Sequence, residues 1–193
     1  MHNLPKGIRL SLARDAKPAS PAVRAAGIRD VPQIWELVST YSARGLLLPR
    51  TAADIAAKLD DYVVAADDCG RVLACASLEE YSPSLGEVAS VAVAAAEHGK
   101  GLGTQVVRGI ERLALARGIN ELFALSLTGD FFLSMGYELT TTSRYPEKLA
   151  RYETLRSGGV EIIPKPCFKK QLDADWSAPQ RYAEELPRRR MAG

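Results

Sequence analysis

From residue 31 the apolar positions Ile34, Leu37, Val38 and Tyr41 recur at helical spacing. Asp30 just ahead of them and Pro32 inside the first turn are start signals, and Gly45 is a stop, so a first helix is predicted over 31–43. Residues 23–26 read as a short strand before it. After a connection over 46–50, Thr51 caps a second helix carrying Ile55 and Leu59. The apolar runs 62–66 and 72–78 are joined by Asp67-Asp68-Cys69-Gly70, which is hairpin chemistry.

Residues 86–93 form the next predicted strand. The strongest helical pattern of the chain follows over 103–117, with Val106, Val107, Ile110, Leu113 and Ala114 on one face and Gly118 beyond its end. A buried-type strand over 121–127, a short helix over 130–135 closed by Gly136, and a strand over 137–142 come next. A helix over 146–155 precedes a last strand, at either 160–163 or 167–172. Helices and strands alternate in an α/β chain, and 193 residues suit one core.

Composition narrows the function classes. With 47% apolar and 25% charged residues the chain has the makeup of a globular protein. Its 25 basic and 23 acidic residues give a net charge of +2, too small for the basic field that non-specific nucleic-acid binding needs. The apolar run 88–96 falls short of the ~20 residues that span a bilayer, so no membrane partner is expected. Cys69, Cys75 and Cys167 suit neither a disulfide framework nor a zinc site with His2 or His98, so no metal is expected and a cytoplasmic, reducing location is. Residues 1–21, basic and proline-containing, read as a flexible leader, with organellar targeting left open. Residues 173–193 read as a solvated tail, which leaves 22–172 as the domain.

The segment His98-Gly99-Lys100-Gly101-Leu102-Gly103-Thr104 leads from a strand into the long helix. Free backbone N–H groups at the positive end of a helix dipole, with glycines that let an anion approach, make a phosphate cradle. A P-loop would need Ser or Thr after its Gly-Lys, but Lys100 is followed by Gly101. A dinucleotide fingerprint would need a third glycine where Thr104 or Val106 stands.

The loop is similar to the R/Q-x-x-G-x-G/A motif of the GNAT acetyltransferase superfamily, with His98 in the place of Arg or Gln. The element order over 23–172 resembles that superfamily, above all the acetyltransferase domain of N-acetylglutamate synthases. Gly45 to Arg50, Gly86-Glu87-Val88, Leu122 to Ser126, Gly129 to Phe132 with Gly136-Tyr137, and more loosely Tyr145 to Lys148 carry that likeness. The resemblance implies a GNAT fold: a central mixed, mostly antiparallel sheet, splayed at the acetyl-CoA site and flanked by helices. It implies that His98, Gly99, Lys100, Gly101, Leu102, Gly103 and Thr104 hold the pyrophosphate of acetyl-CoA. Val91, Ala92 and Val93 would pair with its pantetheine, and the Val91 N–H would face the thioester oxygen.

Acetyl transfer to an amine needs a proton acceptor for the amine, a donor for the departing thiolate and a polarised carbonyl. Glu87, at the start of the strand before the loop, is the candidate base, acting through a water. Phe132 occupies the position where many of these enzymes place a tyrosine general acid. The resemblance gives that role instead to Ser126, with Thr128 as a further candidate. It also implies an acceptor, the α-amine of L-glutamate, as in the first step of arginine biosynthesis. Arginine matches a carboxylate with its planar fork. Arg50 and the pair Arg156-Ser157 are the expected carboxylate clamps. Transfer to another small amine or amino acid, and a non-catalytic acetyl-CoA-binding module, remain alternatives, as does a homo-oligomer.

Overall fold

The computed structural model describes residues 21–173, so the expected leader and tail lie outside the described residues apart from Pro21 and Asp173. Seven strands form one sheet in the order β1-β2-β3-β4-β5-β7-β6. They are β1 (Ala22–Ala25), β2 (Tyr62–Ala66), β3 (Val72–Ser82), β4 (Leu85–Val93), β5 (Glu121–Leu125), β6 (Glu138–Thr140) and β7 (Cys167–Gln171). Every neighbouring pair is antiparallel except β4 and β5. The helices are α1 (Val31–Ser42), α2 (Ala52–Ala57), α3 (Leu102–Ala116), α4 (Gly129–Ser134) and α5 (Pro146–Ser157).

Strand β2 reads as a continuous apolar run because both of its faces are covered. Val63 and Ala65 pack with Val106, Val107 and Ile110 of α3, whereas Tyr62 and Val64 pack with Ile34 and Val38 of α1 and Ile55 of α2. Each such aliphatic side chain, wholly buried, contributes about 1.5–3 kcal/mol. A third cluster under β5 stacks Phe123 on Tyr145, with ring centroids 4.0 Å apart.

Several boundaries differ from the sequence pattern. Strand β3 runs to Ser82 and turns directly into β4, because the charges at Glu79 and Glu80, which break the apolar run, are satisfied by cations from elsewhere in the fold. Of the two candidate last strands, 167–171 is formed. The segment 160–163 has no regular structure, and its Ile163 packs beside Gly45.

What positions the site is a split in the sheet. Strands β4 and β5 pair only at Leu85 with Glu121, Gly86 with Leu122, and Glu87 with Phe123. Beyond Glu87 they diverge. A bulge in β4, where Cys75 faces Ala92 but Ser77 faces Ala89, adds to the bend, and Ser90 sits in it with φ of +51°.

Candidate active site

The diverging strands open a cleft of about 170 Å³. One wall is β4 from Glu87 to Val91, the other runs from Leu125 to Thr128, Phe132 lies between them, and Arg50, Lys148 and Lys165 stand at one end.

At the end of β4 the chain makes a short turn over Ala95–Glu97 and enters the glycine loop. Gly99 and Gly101 have φ of +76° and +78°, and a Cβ at either would meet open space, so the backbone angle and not crowding calls for glycine. Helix α3 starts at Leu102, which leaves the amides of Leu102, Gly103 and Thr104 in the first turn, where a helix offers no acceptor. The first-turn amides and the left-handed glycines are the groups that the expected phosphate cradle would use. Lys100 pairs with Glu97 at 3.0 Å on the exposed surface.

His98, exposed on the loop, reaches back to α1 and to the end of β4. Its Nε2 lies 2.8 Å from the Tyr41 hydroxyl and 3.0 Å from the Val93 carbonyl, to which Tyr41 also donates at 2.6 Å. The carbonyl can only accept, so the fitting tautomer carries its proton on Nε2. His98 therefore fastens the loop to α1.

Strand register pairs the acid of the cleft wall, Glu87, with a second acid behind it. Glu79 and Glu87 are opposite one another on β3 and β4, and both are buried. Lys148 places its Nζ 2.8 Å from each Glu87 oxygen, and Tyr81 donates to the same carboxylate at 2.9 Å. Glu79 accepts from Arg50, from Lys58 at 2.8 Å and from Arg151 at 2.8 Å. Burial pushes the Glu79 carboxyl up, but Arg151, Arg50 and Lys58 override it and hold it at about 2. Burial and then the charge of Glu87 push the Tyr81 hydroxyl well up, so it remains a donor.

Ser126 and Thr128 line the opposite wall. Their hydroxyls are 2.8 Å apart, and the Thr128 N–H donates to Ser126 Oγ at 3.0 Å. Phe132 is buried, stacked on Phe168 and edge-on to Tyr137, and presents only apolar surface to the cleft.

The structure thus gathers Arg50, Glu87, Val91, Ser126 and Phe132 around one space. Val93 adjoins the glycine loop through its carbonyl, and Ala92 is buried against α1. Arg156 and Ser157 are not brought in. Arg156 is exposed over the Tyr152 ring, and Ser157 donates to the Glu153 carbonyl of its own helix. The face of α5 that meets the sheet carries Lys148, Arg151 and Tyr152 at positions i, i+3 and i+4, and Arg156 lies one turn beyond Tyr152, outside the cleft lining.

Lys148, Lys165, Tyr41 and Ser90 line the cleft, and Tyr81 holds Glu87 from beside it; the sequence pattern gave none of them a role in the site. The i, i+3, i+4 spacing of Lys148, Arg151 and Tyr152 was the available signal. Among the described residues no cluster of His, Cys, Asp and Glu could hold a metal ion, and no helix is long and apolar enough to cross a membrane.

Residues 32–135 match the acetyltransferase (GNAT) family model. The chain belongs to this acetyltransferase family. It is 32% identical over 133 residues to an uncharacterised N-acetyltransferase of Chlorobaculum tepidum, covering 69% of this chain and 85% of that one. An amino-acid acetyltransferase of Neisseria meningitidis is 30% identical over 146 residues, 75% of this chain but 33% of the relative, so the chain spans about a third of that protein's length. Among solved structures, N-acetylglutamate synthase of Neisseria gonorrhoeae complexed with coenzyme A and N-acetyl-glutamate superposes with a TM-score of 0.70 at 28% identity, over 81% of this chain and 36% of that one. A Mycobacterium tuberculosis protein in complex with CoA gives 0.69 at 27%, over 79% of this chain and all of the other.

Proposed function

We propose that this protein transfers the acetyl group of acetyl-CoA to the α-amine of L-glutamate. The observation that carries the reading is the charge at one end of the cleft. Arg50, Lys148 and Lys165 border it with Glu87 as the single acidic residue, and Lys58 and Arg151 stand behind Arg50 on Glu79. Three cations against one carboxylate on the cleft lining suit an acceptor that brings carboxylates of its own. The amino-acid acetyltransferases among the relatives support the same acceptor class.

Acetyl-CoA supplies an electrophilic thioester carbon. The amides of Leu102, Gly103 and Thr104, with the left-handed Gly99 and Gly101, fit its pyrophosphate, and the unpaired edge of β4 from Val88 to Val93 fits an extended pantetheine chain. Glu87, held in place by Lys148 and Tyr81, takes a proton from the incoming ammonium through a water, which frees the nitrogen lone pair for attack. The Val91 amide stabilises the oxyanion as the carbonyl becomes tetrahedral. Ser126, relayed by Thr128, donates a proton to the sulfur as the C–S bond breaks.

The test is release of free CoA thiol from acetyl-CoA with each of the twenty amino acids. Glutamate is expected to give the highest kcat/KM, by at least tenfold over glutamine. Equal rates across the series would contradict the assignment, and CoA binding without turnover, unchanged in Glu87→Gln, would mark a binding module instead.

A further inference from the structure

Three cations border the acceptor end of the cleft, and two are matched by carboxylates: Arg50 by Glu79 and Lys148 by Glu87. Lys165 is different. Among the described residues its ammonium has no carboxylate partner and donates instead to the Leu46 carbonyl at 2.6 Å. Burial lowers its proton affinity and Lys148 lowers it further, with Glu87 opposing. An ammonium that is desolvated and repelled by a second ammonium gains from any anion brought beside it.

The chain around Lys165 is built to hold it still. It belongs to the segment 158–166, which crosses from α5 to β7 without helix or strand. Pro164 and Pro166 flank it, and proline fixes its own φ while keeping the preceding residue extended. The Pro166 carbonyl accepts from the Ser126 N–H at 3.1 Å, which ties the segment to the far wall of the cleft. On the near wall, a Cβ on Gly45 would come within 2.4 Å of Ile163 Cδ1, so the segment lies tight on the chain leading to Arg50. A cation preorganised in this way loses little entropy when it takes a ligand.

We propose that Lys165 is a specificity-determining residue that binds one carboxylate of the acceptor, completing with Arg50 a clamp for an amino acid with two. The inference rests on the amino-acid-acceptor reading above. It gives the second half of the clamp to the segment before β7 rather than to the end of α5.

The test is calorimetric binding of L-glutamate, L-glutamine and L-glutamate α-amide to the CoA-loaded protein, as wild type, Lys165→Gln and Lys165→Arg. Glutamine at this position can still donate to Leu46, so the variant removes charge without cutting the tether. Lys165→Gln is expected to weaken glutamate by roughly 10- to 100-fold, the worth of a hydrogen bond to a charged group. The amide that lacks the carboxylate held by Lys165 should lose less than about threefold, as a pairwise cycle requires. Lys165→Arg should recover most of the affinity for glutamate. Unchanged glutamate binding in Lys165→Gln, or an equal loss for all three ligands, would overturn the assignment to Lys165. A wild type that binds the amides as well as glutamate would overturn the dicarboxylate reading itself.

Discussion

Glu79 and Glu87 stand opposite each other on neighbouring strands, and α5 answers them with Arg151 and Lys148, three residues apart on one helical face. Two buried carboxylates in register would repel. The helix turns that repulsion into a ladder of ion pairs that fixes the base of the site and the back of the acceptor pocket together.

The Glu79 carboxyl is held from its ordinary 4.5 to about 2, which corresponds to about 3 kcal/mol of stability. Its folded value is depressed, so the contribution is complete above the ordinary carboxylate value and drains away as pH falls toward 2. Glu79→Gln should therefore lower unfolding stability in urea by about 3 kcal/mol at pH 7, with the gap to wild type closing between pH 4.5 and 2. A gap independent of pH would assign the loss to packing.

Glu87→Gln should lower kcat by about 10²- to 10⁴-fold, the usual worth of a general base, with CoA affinity unchanged. Lys148 acts through Glu87 as a positioning residue. Lys148→Met should lower kcat more than it raises KM for the acceptor, and Lys148→Arg should restore much of the rate. A loss of CoA binding in either Glu87→Gln or Lys148→Met would point to a structural role.

At Gly101 the left-handed backbone penalises a side chain by about 1–2 kcal/mol. Gly101→Ala should raise the CoA dissociation constant by roughly 5- to 30-fold and leave the acceptor's KM within about twofold. Calorimetry with CoA alone separates this from general unfolding.

Arg50 and Arg156 should part company. Arg50→Ala is expected to raise KM for glutamate more than about tenfold, because a charged hydrogen bond is worth about 1.5–3 kcal/mol. Arg156→Ala, at an exposed position, should change it less than about twofold.

The order of strands and helices was readable because α3, β2 and β5 carry apolar patterns dictated by full burial. The glycine loop was readable for a related reason, since left-handed turns leave glycines in the sequence. Glu87 and Arg50 were found through likeness to a family. Lys148 and Arg151 were harder, because their partners are brought beside them only by strand register and by docking of α5, whose outward positions are polar too. Ser90 left no trace at all, as nothing in a serine announces a positive φ inside a bulge. Lys165 looks like loop until Ile163 and Leu46 show what that segment rests on.

The most direct measurement is a crystal structure of the chain with CoA and L-glutamate. One acceptor carboxylate is expected against Arg50, the other against Lys165, and the α-amine within one water of Glu87. Acceptor carboxylates at Arg156, or an amine remote from Glu87, would contradict that arrangement.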